Sequence, residues 1–469
     1  MQATKPPTGP PGQHENLRVI GPIASFAIVA GSMLGVGIFL FPGKIAYEIN
    51  SVWVFFMLWG LGGIFALAGA VACGELGAMI PRAGGDYVFQ RASFGPSVAF
   101  ASGTVLFLAI FAGSIASMSV AVFQYQVGTL LGKDLTLPLS SGFPLSSAQI
   151  CAIVVIIALT VLNDAGTKIS TRTQVVLTLS PIAALTALAV YALAISPSVA
   201  PSDIQPKPGA TELTWFGLAS GFLFVNFAFS GWINIIYVAG EVKDPGKNVP
   251  RSMISASFGV TALYFLLCAA FLTVLGLGGL AGLGWTDAGT GMARALGRPT
   301  LATVVLLIIA VAILTSLNAT VLSSARVAYA MGKDGAFWRG AARLHPKRRT
   351  PQNALWLQAA ISSFLVLTGT FDEIVKMTSI AMFVTGTLTV MSVFVLRYRA
   401  PEAPRPYRAS LYPWLPALYV VLSLAAMGME IWRAFAAGGT NALYPLIGIG
   451  ILFVTLVGHL LLVKGGRIR

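Results

Sequence analysis

Charge is scarce in this sequence: 10% of its 469 residues are Asp, Glu, Lys or Arg, against about 25% in an ordinary soluble domain. With 56% hydrophobic residues and a mean hydropathy of +0.81, so few charges cannot solvate the surface of a globule this size, and a soluble protein is excluded. Cysteine is also rare. Cys73, Cys151 and Cys268 all sit inside apolar runs, which excludes a disulfide framework and a thiolate metal site. The histidines, His14, His345 and His459, are scattered, so no metal site, cofactor or catalytic histidine is expected, and the chain does not read as an enzyme. Residues 1–18 lack a basic stretch followed by an apolar one and a small-residue cleavage site; they read as a disordered tail.

What remains is long apolar runs. About 20 such residues cross a bilayer, and twelve runs are separated by polar punctuation, near 19–45, 53–80, 96–131, 147–163, 173–196, 214–239, 252–281, 300–330, 353–371, 374–396, 412–434 and 441–463. An even number of spans puts both termini on one side. Of the 30 Lys and Arg, 23 fall on that side, so it is predicted to be cytoplasmic. The 16 acids divide evenly, so the net charge of +14 lies on the cytoplasmic face. It is an orientation signal, and nucleic acid is not expected as a partner. The run from His345 to Arg349 belongs to this signal and is suited to contact with anionic lipid.

The first span carries Gly31, Gly35 and Gly37, followed by Pro42-Gly43. Each glycine weakens a helix by roughly 1 kcal/mol relative to alanine, and a backbone group freed inside hydrocarbon must find a partner. Gly31 and Gly35 also fit a GxxxG packing face. The spacing suits neither a phosphate loop nor a dinucleotide fingerprint. A second interruption lies in the sixth span, Asn226-Phe227-Ala228-Phe229-Ser230-Gly231-Trp232. Breaks at matching positions of two five-span blocks point to an inverted-repeat transporter with its site at the bilayer midplane. Opened helix ends offer N–H groups to an anion and C=O groups to a cation, and an α-amino acid carries both. Its carboxylate would sit on amides around Ser32, Gly35, Val36 and Gly37. Its ammonium would meet carbonyls near Met33, Phe227, Ala228 and Ser230.

Five segments, Gly31–Leu40 (GSMLGVGIFL), Gly74–Gln90 (GELGAMIPRAGGDYVFQ), Phe229–Ile233 (FSGWI), Gly240–Met253 (GEVKDPGKNVPRSM) and Ser323–Ala336 (SSARVAYAMGKDGA), resemble in order the motifs of the amino acid-polyamine-organocation superfamily. Within it, they are most similar to the L-type amino acid transporters and their bacterial relatives. The resemblance implies an all-α membrane protein of twelve helices: a five-plus-five inverted repeat (19–196 and 214–396) with discontinuous helices one and six, two further helices (412–463) and a cytoplasmic tail (464–469). It places the carboxylate site at Ser32 to Gly37, an aromatic gate at Phe227 with Trp232 beside it, and a substrate-side asparagine at Asn318. Two departures stand out. A lysine that in other members bridges spans one and eight from span five is missing, its place aligning with Pro181. No cysteine lies between spans three and four, so a disulfide-linked heavy subunit is not expected.

Other residues admit two readings. Glu75 is either an intramembrane proton carrier or a surface acid paired with Arg82 or Arg91. Glu241, Lys243, Asp244 and Lys247 make a solvated loop that holds an inner gate, or contact substrate. Asn318 faces the ligand or bonds neighbouring helices. With no lysine in span five, Thr320, Ser323 and Ser324 are a candidate sodium site together with carbonyls of span one. Spans three, six, eight and ten carry no acid or base at mid-depth, which favours a neutral amino acid over a cationic amino acid or polyamine. The expected function is secondary transport of L-amino acids across the cell membrane, by exchange or ion-coupled uptake. A channel or a non-transporting sensor is the alternative from another class, disfavoured by the lack of a filter repeat and of a soluble module.

Overall fold

The computed structural model describes residues 18–49, 51–140, 143–196, 214–368, 371–437, 450 and 452–459. Helix dominates. The first span is two helices, α1 (Pro22–Met33) and α2 (Gly37–Ile49), followed by α3 (Val52–Met79) and a short α4 (Asp86–Phe94). Then come α5 (Pro96–Leu131), α6 (Ser147–Asp164) and α7 (Thr167–Ile195). The sixth span is α8 (Trp215–Phe229), continued by a 3-10 segment (Ser230–Glu241). After it lie α9 (Pro245–Gly282), a short α10 (Ala288–Ala295), α11 (Pro299–Lys333), α12 (Gln352–Thr368), α13 (Phe371–Arg399) and α14 (Trp414–Ala437).

Local chemistry sets many of the boundaries. Proline at the first helical turn starts α1, α5, α9 and α11, where its missing N–H costs nothing. Ser146 and Gln149 form a reciprocal capping box at the head of α6, and the Thr214 hydroxyl accepts from Gly217 N–H at the head of α8; both satisfy otherwise orphaned amides. Ten described helical spans are long and apolar enough to cross a membrane. The ninth predicted span is α12, at 17 residues about 26 Å long. Most of the twelfth, 441–463, and the tail 1–17 lie outside the described residues. The short helices α4 and α10 and the antiparallel pair β1 (Pro138–Ser140) and β2 (Phe143–Ser146) are additions to the expected spans.

Burial separates a centre from a shell. The apolar stretches of spans one, three and six are 83, 89 and 89% buried, whereas those of α6, α7 and α14 are 33, 33 and 28% buried. The shell exposes large apolar side chains such as Trp53, Val176, Phe258 and Phe453, as a surface facing lipid must. The chain is a multi-pass membrane protein whose two interrupted spans lie in its interior.

Candidate functional site

At the first interruption, α1 ends at Met33 and residues 34–36 bend before α2 starts at Gly37. The turn uses Leu34 N–H on Ala30 O and Gly35 N–H on Met33 O. The amides of Val36, Gly37 and Ile38 have no acceptor among the described residues. They form the first turn of a 13-residue helix, the position at which a backbone is best disposed to hold an anion. The carbonyls on the other side of the bend are taken: Ser316 Oγ donates to Ser32 O at 2.8 Å, and Tyr264 OH lies 2.5 Å from Met33 O. The Ser32 hydroxyl turns back to donate to Ile28 O.

The sixth span does not open in this way. It passes from α-helix into a 12-residue 3-10 helix at Ser230, a length rare for that conformation and characteristic of a hinge or strained element. The Ser230 amide donates to Phe227 O, and Tyr264 OH, 3.1 Å from Ala228 O, can give its single proton to either Met33 O or Ala228 O. Spans one and six cross backbone against backbone here. A Cβ on Gly37 would lie 2.5 Å from Ala228 Cα, and one on Gly231 would lie 2.2 Å from the Ser32 carbonyl carbon.

Around this crossing lies a cavity. Ser32, Met33, Gly35, Val36, Gly37, Phe227, Ala228, Ser230, Trp232 and Thr320 all line it. Asn318, Ser323 and Ser324 do not. Asn318 takes the helix-bonding alternative: its Nδ2 donates to Gln174 Oε1 and its Oδ1 accepts from Asn163 Nδ2, at 2.7 and 2.9 Å. The three hydroxyls of the candidate sodium site diverge. Thr320 bonds Ser316 O, Ser324 bonds Val321 O within the same helix, and Ser323 reaches Asn234 O.

The crossing of spans one and six is flanked on its two sides by different chemistry. At the end away from the basic loops, Phe41 packs edge-on against Phe227 and Trp285, with Phe224 beside both Phe41 and Trp285. At the basic end, Arg326, 1% exposed, pairs with Glu241 at 3.0 Å and donates to Thr167. Backbone bonds from Ile20 N–H to Glu241 O and from Lys243 N–H to Ile20 O tie the start of the first span to the end of the sixth. Glu241 is therefore buried in an ion pair and is not part of a solvated loop. Glu75 pairs with Arg397 and Arg405, and accepts from Ala409 N–H; the expected partners do other things, Arg91 pairing with Asp334 and Arg82 facing solvent.

Three features of the site went unread in the sequence. Gln174 and Thr178 of α7 bridge spans one and eight: Thr178 Oγ1 donates to Ala27 O of span one and Gln174 Nε2 to Thr315 O of span eight. A Cβ on Gly31 would lie within 2.5 Å of both side chains, so Gly31 serves packing. Tyr264 holds the crossing. Asp86, 2% exposed, is the one charged residue among those lining the cavity. It comes from α4 and not from a span, and burial pushes its carboxyl up to about 7.

The profile described as "Amino acid permease" matches residues 20–460. The chain is 28% identical to the serine/threonine exchanger SteT of Bacillus subtilis (strain 168), over 92% of this chain and 96% of that protein. It is 26% identical to the mouse large neutral amino acids transporter small subunit 2, covering 93% and 80% of the two chains. With the human cystine/glutamate transporter it shares 24% identity over 96% and 87%.

Proposed function

The chain belongs to the amino acid permease family, and from that premise we propose that it is a secondary active transporter of neutral L-amino acids, working by exchange or ion-coupled uptake. The observation that carries this reading is the set of unpaired amides at Val36, Gly37 and Ile38 opening on a cavity walled by the sixth span. A carboxylate seated there would accept two or three charge-assisted bonds, and the bend carbonyls, each with a second lone pair, remain accessible to the ammonium. Among the similar transporters, the names that cover serine, threonine and large neutral amino acids support an uncharged side chain, whereas that of the cystine/glutamate transporter does not.

In this proposal the twelve spans form a five-plus-five inverted repeat with two added helices, both termini are cytoplasmic, and the protein sits in the cell membrane. Alternating access separates the aromatic cover on one side and the Arg326–Glu241 latch on the other. No disulfide-linked second subunit is required, since the 132–146 connection carries no cysteine.

A cationic substrate is the second reading, favoured by Asp86 in the cavity wall. The test is counterflow in proteoliposomes. Vesicles loaded with unlabelled serine, alanine or leucine should take up the labelled amino acid severalfold faster than empty vesicles. Uptake competed by arginine or putrescine but not by leucine would establish the second reading, and the absence of counterflow with all twenty amino acids would reject both.

A further inference from the structure

We propose that Asp86 is a proton-binding site in the wall of the substrate cavity, and that holding or releasing its proton is linked to which end of the cavity is open. The proposal deepens the transport reading and rests on it.

Asp86 Oδ2 lies 2.9 Å from Tyr237 OH, while Oδ1 is buried with no hydrogen-bond partner. The groups facing it are neutral: Cys73 of α3, Tyr237 of the 3-10 segment, Thr389 of α13 and Tyr419 of α14. Among the described residues no base lines the cavity. Arg82 is in solvent, Arg91 is held by Asp334, and Arg397 and Arg405 are held by Glu75. A buried carboxylate with one bare oxygen and no counter-charge favours its protonated form. The hydrogen bond from Tyr237 opposes this and burial outweighs it, leaving the group near 7, where the proton can be both taken and given. A structural acid would instead resemble Glu75, whose two oxygens are bonded by arginines and an amide.

The backbone couples this carboxyl to the sixth span. Gly84 and Gly85, both at positive φ, form the turn into α4; Gly84 N–H donates to Tyr237 O, and a Cβ on Gly85 would lie 2.5 Å from Tyr237 Cδ1. Asp86 is thus seated on the 3-10 segment that ends in the Glu241 latch. Opening the basic end moves that segment and brings water to Oδ1. Hydration stabilises the carboxylate, and the proton passes to that water. When the segment returns, Asp86 takes a proton from water on the other side, no other bond being made or broken.

The experiment uses purified full-length protein in proteoliposomes, first for counterflow of labelled serine, alanine or leucine, then for accumulation driven by a pH gradient alone, with a trapped pH dye. For one proton per substrate, a gradient of one pH unit supports up to about tenfold accumulation, accompanied by proton movement reported by the dye. In Asp86→Asn, accumulation should fall to simple equilibration, and counterflow, at whatever rate remains, should no longer change across neutrality. Tyr237→Phe, which keeps the carboxyl and removes a bond to its charged form, should move the pH midpoint of transport to the alkaline side, and it decides the matter if the asparagine variant does not fold. Counterflow in the wild type without gradient-driven accumulation, or an unchanged pH midpoint in Tyr237→Phe, overturns the proton site while leaving the transport reading intact. Selective loss of arginine or putrescine uptake in Asp86→Asn, with no dye signal in the wild type, would make Asp86 a substrate charge partner instead. Absence of counterflow in the wild type would overturn the transport reading itself.

Discussion

The first and sixth spans are both interrupted midway along their length, yet they are interrupted differently. In the first, the helix stops, bends over Leu34–Val36 and restarts, leaving three amides without acceptors. In the sixth, the chain tightens from α into 3-10 geometry and keeps its amides bonded. The first break is therefore built to receive a charged group. The second presents a close-packed wall, Gly231 against Ser32 and Ala228 against Gly37, and a lever running to the Glu241 latch. Equivalent positions in a sequence pattern do not imply equivalent chemistry.

The largest effect should come from destroying the crossing itself. Gly231→Leu and Gly37→Leu each place a side chain on a neighbouring backbone. Overpacking typically costs about 1–3 kcal/mol, and a rigid backbone contact belongs at or above the top of that range. Both variants should lose transport and melt at clearly lower temperature; a normal melting curve for either would mean that the two spans do not touch as described.

Next in size is removal of the substrate carboxylate, which separates the two breaks. Each charge-assisted bond is worth roughly 1.5–3 kcal/mol, so leucinamide or leucine methyl ester should compete on the order of 100-fold more weakly than leucine in counterflow. Equal competition would remove the anion site from the first break.

Tyr264→Phe touches both breaks at once. It leaves Met33 O and Ala228 O without their shared donor, a loss of about 1–3 kcal/mol, to be read in thermal or denaturant unfolding of the detergent-solubilised protein. Phe227→Ala removes an edge-to-face contact worth about 0.5–1.5 kcal/mol in addition to the burial of a ring only 6% exposed, so its cost approaches the about 3–5 kcal/mol of a buried Phe→Ala change. It loosens the cover at the end away from the basic loops and should speed release of bound substrate in a filter-binding chase. An unchanged release rate would place the cover elsewhere.

Composition is enough to read the membrane spans, because ten of the twelve predicted runs coincide with long apolar helices, and glycine spacing in the first span and a polar, small-residue stretch in the sixth mark the two breaks. Partners distant in sequence were not readable. Glu75 meets Arg397 and Arg405, more than 300 positions away, where local reasoning offered Arg82 and Arg91. Asp86 was missed because the cavity wall was sought only in membrane spans, whereas a glycine turn delivers this acid from a connection. The sign that could have found it was Gly84-Gly85-Asp86 itself, an acid held at the start of a helix by residues that tolerate positive φ. Gln174 and Thr178 carry no charge to mark them in the sequence, yet a neutral amide and a hydroxyl bridge spans one and eight by hydrogen bonds alone.

The central claim, that substrate sits on the amides of the first break, is tested most directly by protection of Val36→Cys, in a chain whose three native cysteines are replaced, from a small membrane-permeant thiol reagent. A transported amino acid should slow labelling at least severalfold at saturating concentration, while its amide should not. Labelling that is the same with and without the amino acid, in a variant that still carries out counterflow, would contradict it.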